Sequence, residues 1–245
     1  MDEKIKVNFE SNSYLYDVSL DKKFSFKDLK DNYGINTLAD KNKKKFFFLI
    51  SDNSIEFLIC YVNFLNDNFL VILLNKRIEQ NQIDKLIDIY KPSIICVKDS
   101  NKFFFKNYQE KRKILRNIIL ERKKEVTYKI NNLNKLLIST SGTTGSSKFV
   151  RLSISNLNYN SLAISNFLNI KKNHVTVTTL PPDYTLGLSV INTHLRKGSS
   201  IVLSDYSFLE KKFWNLIRNK KITSFTSVPI SLDILKKIYF NGNKL

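Results

Sequence analysis

The chain has few of the residues that usually punctuate a fold: 6 Gly, 4 Pro and only two Ala, Ala39 and Ala163, in 245 positions. That excludes a collagen-like or proline-rich fibre and a glycine-rich linker. Where Gly is so scarce, each one is expected to hold a backbone position that other residues fill poorly. Cysteine is limited to Cys60 and Cys96, each inside an apolar stretch (FLICYV and SIICVK). This suits buried thiols in a reducing cytosol and excludes a disulfide framework. His174 and His194 stand alone, so the spacing offers no metal site. The longest uninterrupted apolar run, Phe69 to Leu74, is about six residues, far below the roughly 20 that span a bilayer. The N-terminus, MDEKIKVNFE, lacks an apolar signal core. A soluble, cytoplasmic protein with no transmembrane segment is expected.

Acidic residues are also few: 22 Asp+Glu against 40 Lys+Arg, a formal charge of +18. Such a balance first suggests a nucleic-acid or anionic-membrane partner. The basic residues, however, are 33 Lys and 7 Arg, with 28 Asn beside them. Phosphate and base readout favour the guanidinium fork, whereas a surplus of Lys, Asn and Ile is what AT-rich codons produce. No nucleic-acid partner is therefore expected. What is present in ordinary amount is core: 42% hydrophobic and 25% charged residues describe a globular chain, long enough to bury roughly 70 to 75% of its unfolded surface.

Hydrophobic periodicity gives an alternating order of elements. Extended segments at 5–9 and 14–19 precede a short helix near 25–33. Strands Phe46–Ser51, Phe69–Leu74 and Ser93–Val97 alternate with helices Ser54–Leu65 and Ile78–Tyr90, the first helix capped by Asn53 or Ser54. Later come strands Glu125–Ile130, Lys135–Thr140 and Val150–Leu152, a helix from Ser155 to Leu168, and strand Val175–Thr179. Helices Leu186–Leu195, Phe208–Asn219 and Ile230 to about Ile238 then alternate with strands Ser200–Ser204 and Ile222–Thr226. Strands apolar throughout, separated by helices, predict an α/β fold: two doubly wound, mostly parallel sheets covered by helices. The units are expected at 1–120 and 121–245. The joining segment, Lys102 to Lys124, has nine basic and two acidic residues and reads as a helix with an apolar stripe of Leu115, Ile118 and Ile119. That helix is either a solvated face or a basic amphipathic surface touching acidic lipid.

One segment carries a chemical signal: Ser139-Thr140-Ser141-Gly142-Thr143-Thr144-Gly145-Ser146-Ser147-Lys148. Two of the six glycines lie three residues apart among seven hydroxyl side chains, and a Lys closes the run. Glycine lets successive backbone N–H groups turn inward, hydroxyls add donors, and the ammonium supplies a point charge for phosphate. An apolar strand, Leu136 to Ile138, feeds the segment, which puts it at the carboxyl end of a sheet strand, where α/β proteins bind ligands. The spacing differs from the nucleotide-triphosphatase P-loop and from G-x-G-x-x-G. On composition alone, a solvent-exposed Ser/Gly-rich hairpin remains open.

TSGTTGSSKFVRLSISN resembles the phosphate-binding loop of the adenylate-forming (AMP-binding) superfamily, acyl-CoA synthetases in particular. Lys148, Val150, Ser153 and Asn156 match the usual pattern. Ser147, Phe149 and Ile154 replace its Pro, Gly and His. DKKFSFKDL, the run from Phe46 to Lys91-Pro92, LPPDYTLGLSV with LRKGSSIVL, and Thr223 to Leu235 are similar to further segments of the family, in order. The resemblance implies attack of a carboxylate on ATP to give an acyl adenylate, then transfer to a thiol, coenzyme A or a carrier protein. Thr140, Ser141, Gly142, Thr143, Thr144, Gly145 and Lys148 would hold the phosphates, with Mg²⁺ sharing their charge. The substrate is implied to be a small-molecule carboxylic acid. An amino acid is the alternative, suggested by Asp183, which stands with Tyr184 and Gly187 where relatives build the acyl pocket; a surface turn Pro-Pro-Asp and a packing role for Gly187 are the plainer readings. His194 and Trp214 read as structural. The family's later motifs and C-terminal domain have no counterpart in 1–245. The resemblance thus implies an N-terminal portion, catalytically incomplete alone or completed by a separate chain, or else a non-catalytic nucleotide-binding remnant.

Overall fold

The computed structural model describes residues 4–9, 12–30, 38, 43–139 and 148–239. It forms two compact units: Met1–Lys6, Lys27–Asp52 and Glu56–Asn160 make the first, and Val7–Phe26, Asn53–Ile55 and Ser161–Leu245 the second.

The first unit is built on a seven-stranded sheet. Its centre is three strands with continuous apolar sequence, β3 (Lys45–Ser51), β4 (Phe69–Asn75) and β5 (Ile94–Lys98), paired in parallel. Such strands are apolar throughout because both faces are covered. One face meets α1 (Ile55–Asn66), most of whose residues are buried, with Phe47 stacked on Phe64 at 3.7 Å between ring centres. The other face carries Phe48, Ile50, Leu70 and Ile72, packed with Ile83 of α2 (Gln80–Tyr90). Glu79 and Gln82 bond reciprocally as a capping box at the start of α2, and Lys91 closes it in the left-handed region, just before Pro92.

Beyond this centre the sheet departs from the expected parallel order. β8 (Leu136–Ser139) joins β4 in parallel, but β9 (Phe149–Leu152) runs antiparallel to β8. On the other edge, β6 (Tyr108–Ile114) and β7 (Asn117–Arg122) form an antiparallel hairpin beside β5. Half of the six pairings are antiparallel, so this sheet is mixed. The helix expected at 102–124 is therefore that hairpin, and Leu115 is its turn, at φ 51°. The strand expected at Glu125–Ile130 is absent, because those residues pair with no ladder. β8 and β9 hydrogen-bond into the sheet of the first unit, whose last segment ends at Asn160.

The second unit has a five-stranded sheet in the order β12-β10-β11-β1-β2. Its members are β1 (Tyr14–Asp17), β2 (Lys22–Ser25), β10 (Val175–Val177), β11 (Ser200–Leu203) and β12 (Ser224–Phe225). Three pairings are parallel and β1–β2 is antiparallel. The helices that follow the first unit's strands are α3 (Ile154–Phe167), α4 (Thr185–Lys197), α5 (Lys211–Asn219) and α6 (Pro229–Tyr239). Gly198 ends α4 at φ 63°, a left-handed cap that a Cβ would penalise. Phe213 and Leu216 of α5 bury against Tyr16, Val177 and Val202. No helix among the described residues is long and apolar enough to cross a membrane.

Candidate functional site

The segment singled out by sequence is rooted in two paired strands. Leu136, Leu137 and Ile138 are buried, Ser139 emerges, and Ser139 lies opposite Phe149 of β9. Thr140, Ser141, Gly142, Thr143, Thr144 and Gly145 fall outside the described residues; Lys148 is described, exposed at the foot of β9. The entry to β8 is held from below. The Lys44 ammonium donates to the carbonyls of Asn132 (2.8 Å) and Asn134, and Lys135 Nζ donates to the Asp67 carbonyl at 2.8 Å. Burial, with the Lys135 charge nearby, pushes the Lys44 pKa down to about 8.

A cleft of about 710 Å³ opens at the carboxyl ends of β4 and β8. Leu74 and Asn75 come from β4 and Ser139 from β8, with Phe149 at the start of β9. From beyond β4 and from α2 come Arg77, Gln82, Lys85 and Tyr90. Asn75 turns the chain by accepting the Arg77 backbone N–H on Oδ1 at 2.8 Å. Tyr90 meets Phe149 edge-on at 5.7 Å, and burial raises its phenol pKa, so the hydroxyl stays a neutral donor. Two cations, amide side chains and an aromatic wall suit a ligand with an anionic group on a flat apolar body. Arg77 and Lys85 were not singled out from sequence. Among forty basic residues no pair stands out until the fold sets it at a strand's carboxyl end.

The matched residues after the loop have a local mechanical role. Ser153 precedes α3, and its Oγ accepts the Asn156 backbone N–H at 3.1 Å. Asn156 Oδ1 in return accepts the Ser153 backbone N–H and hydroxyl, each at 2.9 Å. This reciprocal cap fixes where β9 ends and α3 begins.

In the second unit, Asp183, Tyr184 and Gly187 share one turn at the start of α4. The Tyr184 N–H donates to the Pro181 carbonyl at 3.1 Å, and Tyr184 occupies the N-cap with extended backbone. Asp183 is buried at 9% exposure, which departs from a surface turn, and Tyr184 is 43% exposed. A Cβ on Gly187 would fall on the Pro181 carbonyl oxygen and within 2.8 Å of that of Leu180, so this glycine permits a close backbone approach. His194 lies on the buried side of α4, its Nδ1 2.8 Å from the Val190 carbonyl. Sequence reading missed Asp17, fully buried at the end of β1, whose carboxylate accepts the N–H groups of Ser19 (2.9 Å), Leu20 (3.1 Å) and Ile55 (2.9 Å). Loop and turn lie in different units. Among the described residues, no three His, Cys, Asp or Glu side chains gather as a metal site.

These features define an α/β protein with a cleft at the carboxyl ends of β4 and β8, lined in part by Arg77 and Lys85. The profile of the AMP-binding enzyme family matches residues 37–243, and the chain belongs to that family. Among solved structures it is similar to apo MatB from Rhodopseudomonas palustris, with 19% identity and a TM-score of 0.69 over 97% of this chain and 49% of that one. It is also similar to the N-terminal domain of FACL13 from Mycobacterium tuberculosis, at 13% identity and TM-score 0.69, covering 94% of this chain and 62% of that one. O-succinylbenzoate coenzyme A synthetase (MenE) from Bacillus subtilis, in complex with AMP, matches at 16% identity and TM-score 0.67 over 95% and 64%. The chain thus spans about half the length of MatB and under two thirds of the other two. Comparison with curated proteins by sequence finds no match.

Proposed function

We propose that the chain is the phosphate-handling portion of an ATP-dependent acid–thiol ligase of the acyl-CoA synthetase kind. A carboxylate oxygen attacks the α-phosphorus of ATP; the bond to the bridging oxygen breaks, and pyrophosphate leaves from an acyl adenylate. A thiol, of coenzyme A or a carrier protein, then attacks the acyl carbon and AMP departs. Thr140, Ser141, Gly142, Thr143, Thr144 and Gly145 supply backbone and hydroxyl donors to the phosphates, and Lys148 places its charge where negative charge grows on the leaving pyrophosphate. Mg²⁺, arriving with the nucleotide, shares that charge. Asp183 and Tyr184 contribute to the acyl pocket, and Gly187 lets the α4 turn close behind them. The reading puts the protein in a reducing cytoplasm, in keeping with the free thiols of Cys60 and Cys96.

The observation that carries this reading is that the cleft and the loop share their roots. Ser139 and Phe149 line the cleft with Arg77 and Lys85, and they are also the paired residues from which the Ser/Thr/Gly run departs. Crystallised MatB with ATP bound and MenE with AMP accord with a nucleotide as the ligand.

Thermal unfolding with Mg·ATP tests it. At 100 times Kd, binding adds about 2.7 kcal/mol, a rise of roughly 2 to 4 °C for a chain of this size. Lys148→Ala is expected to remove most of that rise. An unshifted wild-type melting curve, or a Lys148→Ala curve that shifts equally, would overturn the assignment.

A further inference from the structure

Most large apolar side chains in the first unit are buried, but Phe104 is 73% exposed. Its backbone is nevertheless tightly held. The Phe104 N–H donates to Gln80 Oε1 and its carbonyl accepts from Gln80 Nε2, both at 3.0 Å, so one amide of α2 clamps both sides of the residue. Exposure alternates along 102–106: Phe103 and Phe105 turn in to the core cluster, and Lys102, Phe104 and Lys106 turn out. The inward rings form a pedestal, 5.7 Å apart, with Tyr108 6.1 Å from Phe105. The fold thus presents one phenyl ring between two ammonium groups and fixes the backbone beneath it.

The charge nearby is lysine. Lys123 is joined to the end of this loop by its N–H to the Asn107 carbonyl at 2.9 Å, and Lys124 follows, both exposed. Arg116 and Arg122 are engaged within the fold, with Glu56 and with the Tyr108 hydroxyl respectively. Asp84 and Asp88 of α2 line a recess on one side of Phe104, which Lys106 also lines.

We propose that the Lys102–Phe104–Lys106 edge is a peripheral contact for an anionic lipid bilayer. Phe104 enters the headgroup boundary and the lysines stand at the lipid phosphates. An amphipathic anchor of this kind combines buried apolar area with the attraction of basic residues to a charged leaflet. Single-stranded nucleic acid fits less well. Its binders stack successive bases on several rings and use arginine, whereas Phe104 is the one exposed ring of residues 100–124.

The test is co-sedimentation of the full chain with phosphatidylcholine vesicles, with and without phosphatidylserine, the fold of each variant being checked by circular dichroism. The wild type is expected on the phosphatidylserine vesicles alone. Phe104→Ser, which changes no charge, is expected to weaken binding about five- to tenfold, the scale of losing one inserted ring. Phe167→Ser, at a ring 88% exposed in the second unit, is expected to bind as wild type. In Phe104→Trp, emission is expected to move to shorter wavelength with the anionic vesicles. Absence of binding, equal binding by wild type and Phe104→Ser, an equal loss in Phe167→Ser, or an unshifted Phe104→Trp spectrum would each overturn the proposal. So would a Phe104→Trp shift with single-stranded RNA and none with vesicles.

Discussion

At the scale of single residues, the buried polar groups are specific about their partners. Glu56 is fully buried, and Arg116 meets it with Nε at 2.6 Å and Nη2 at 2.9 Å, a bidentate pair in which each group offsets the other's desolvation. His194 is less well provided. Its Nδ1–H donates to the Val190 carbonyl, while Nε2 has no hydrogen-bond partner within the described protein. Burial is the main cause holding its pKa below the ordinary 6.5. Below that ordinary value the unfolded chain binds a proton that the folded chain refuses, so stability falls as the pH drops through this range. Urea midpoints at several pH values between about 7 and 5 check the sign. His194→Leu is expected to lose less stability than wild type on acidification; parallel curves would show that His194 does not titrate differently on folding.

At the scale of elements, α4 depends on one close approach. Gly187→Ala would press a methyl against two backbone carbonyls, which cannot swing aside as a side chain does. A loss of about 1 to 3 kcal/mol in urea unfolding is expected; an unchanged midpoint would mean the turn at Leu180–Pro181 yields freely. The scarcity of glycine made this position legible. The central strands were legible for a related reason: FFFLI, FLVILL and IICV admit no amphipathic reading, and only a sheet covered on both faces buries them. The β6–β7 hairpin was not. Its two-residue turn is Leu115-Arg116, without the Gly or Asn that a positive φ usually calls for, and a register shift between Glu110 and Arg112 breaks the alternation. Leu115, Ile118 and Ile119 then fall at helical spacing although the segment is extended. What holds the turn is the Arg116–Glu56 pair, a contact 60 residues away in sequence that no local pattern announces. Val126, Tyr128 and Ile130 alternate as a strand would, yet Tyr128 meets Phe46 at 5.4 Å without any ladder, so inward packing alone produced the pattern.

At the scale of the molecule, the +18 acts on stability whatever it does for binding. Charges of one sign spread over a compact surface repel, and added salt shortens their reach from about 30 Å at 0.01 M to about 8 Å at 0.15 M. The melting temperature is expected to rise over that interval of sodium chloride; a fall would show that the ion pairs, such as Lys111–Glu121 and Lys113–Asp99, outweigh the repulsion.

The pairing of β1 with β11 sets an order in time as well as in space. Leu15 lies opposite Ile201, and Tyr16 opposite Val202, so β1 meets its parallel neighbour only after almost 190 further residues have been made. During synthesis the β1–β2 ribbon can close early, because it is local, but one of its edges stays bare. The second sheet therefore matures last, by a non-local step that is slow and leaves an open strand edge exposed to wrong partners.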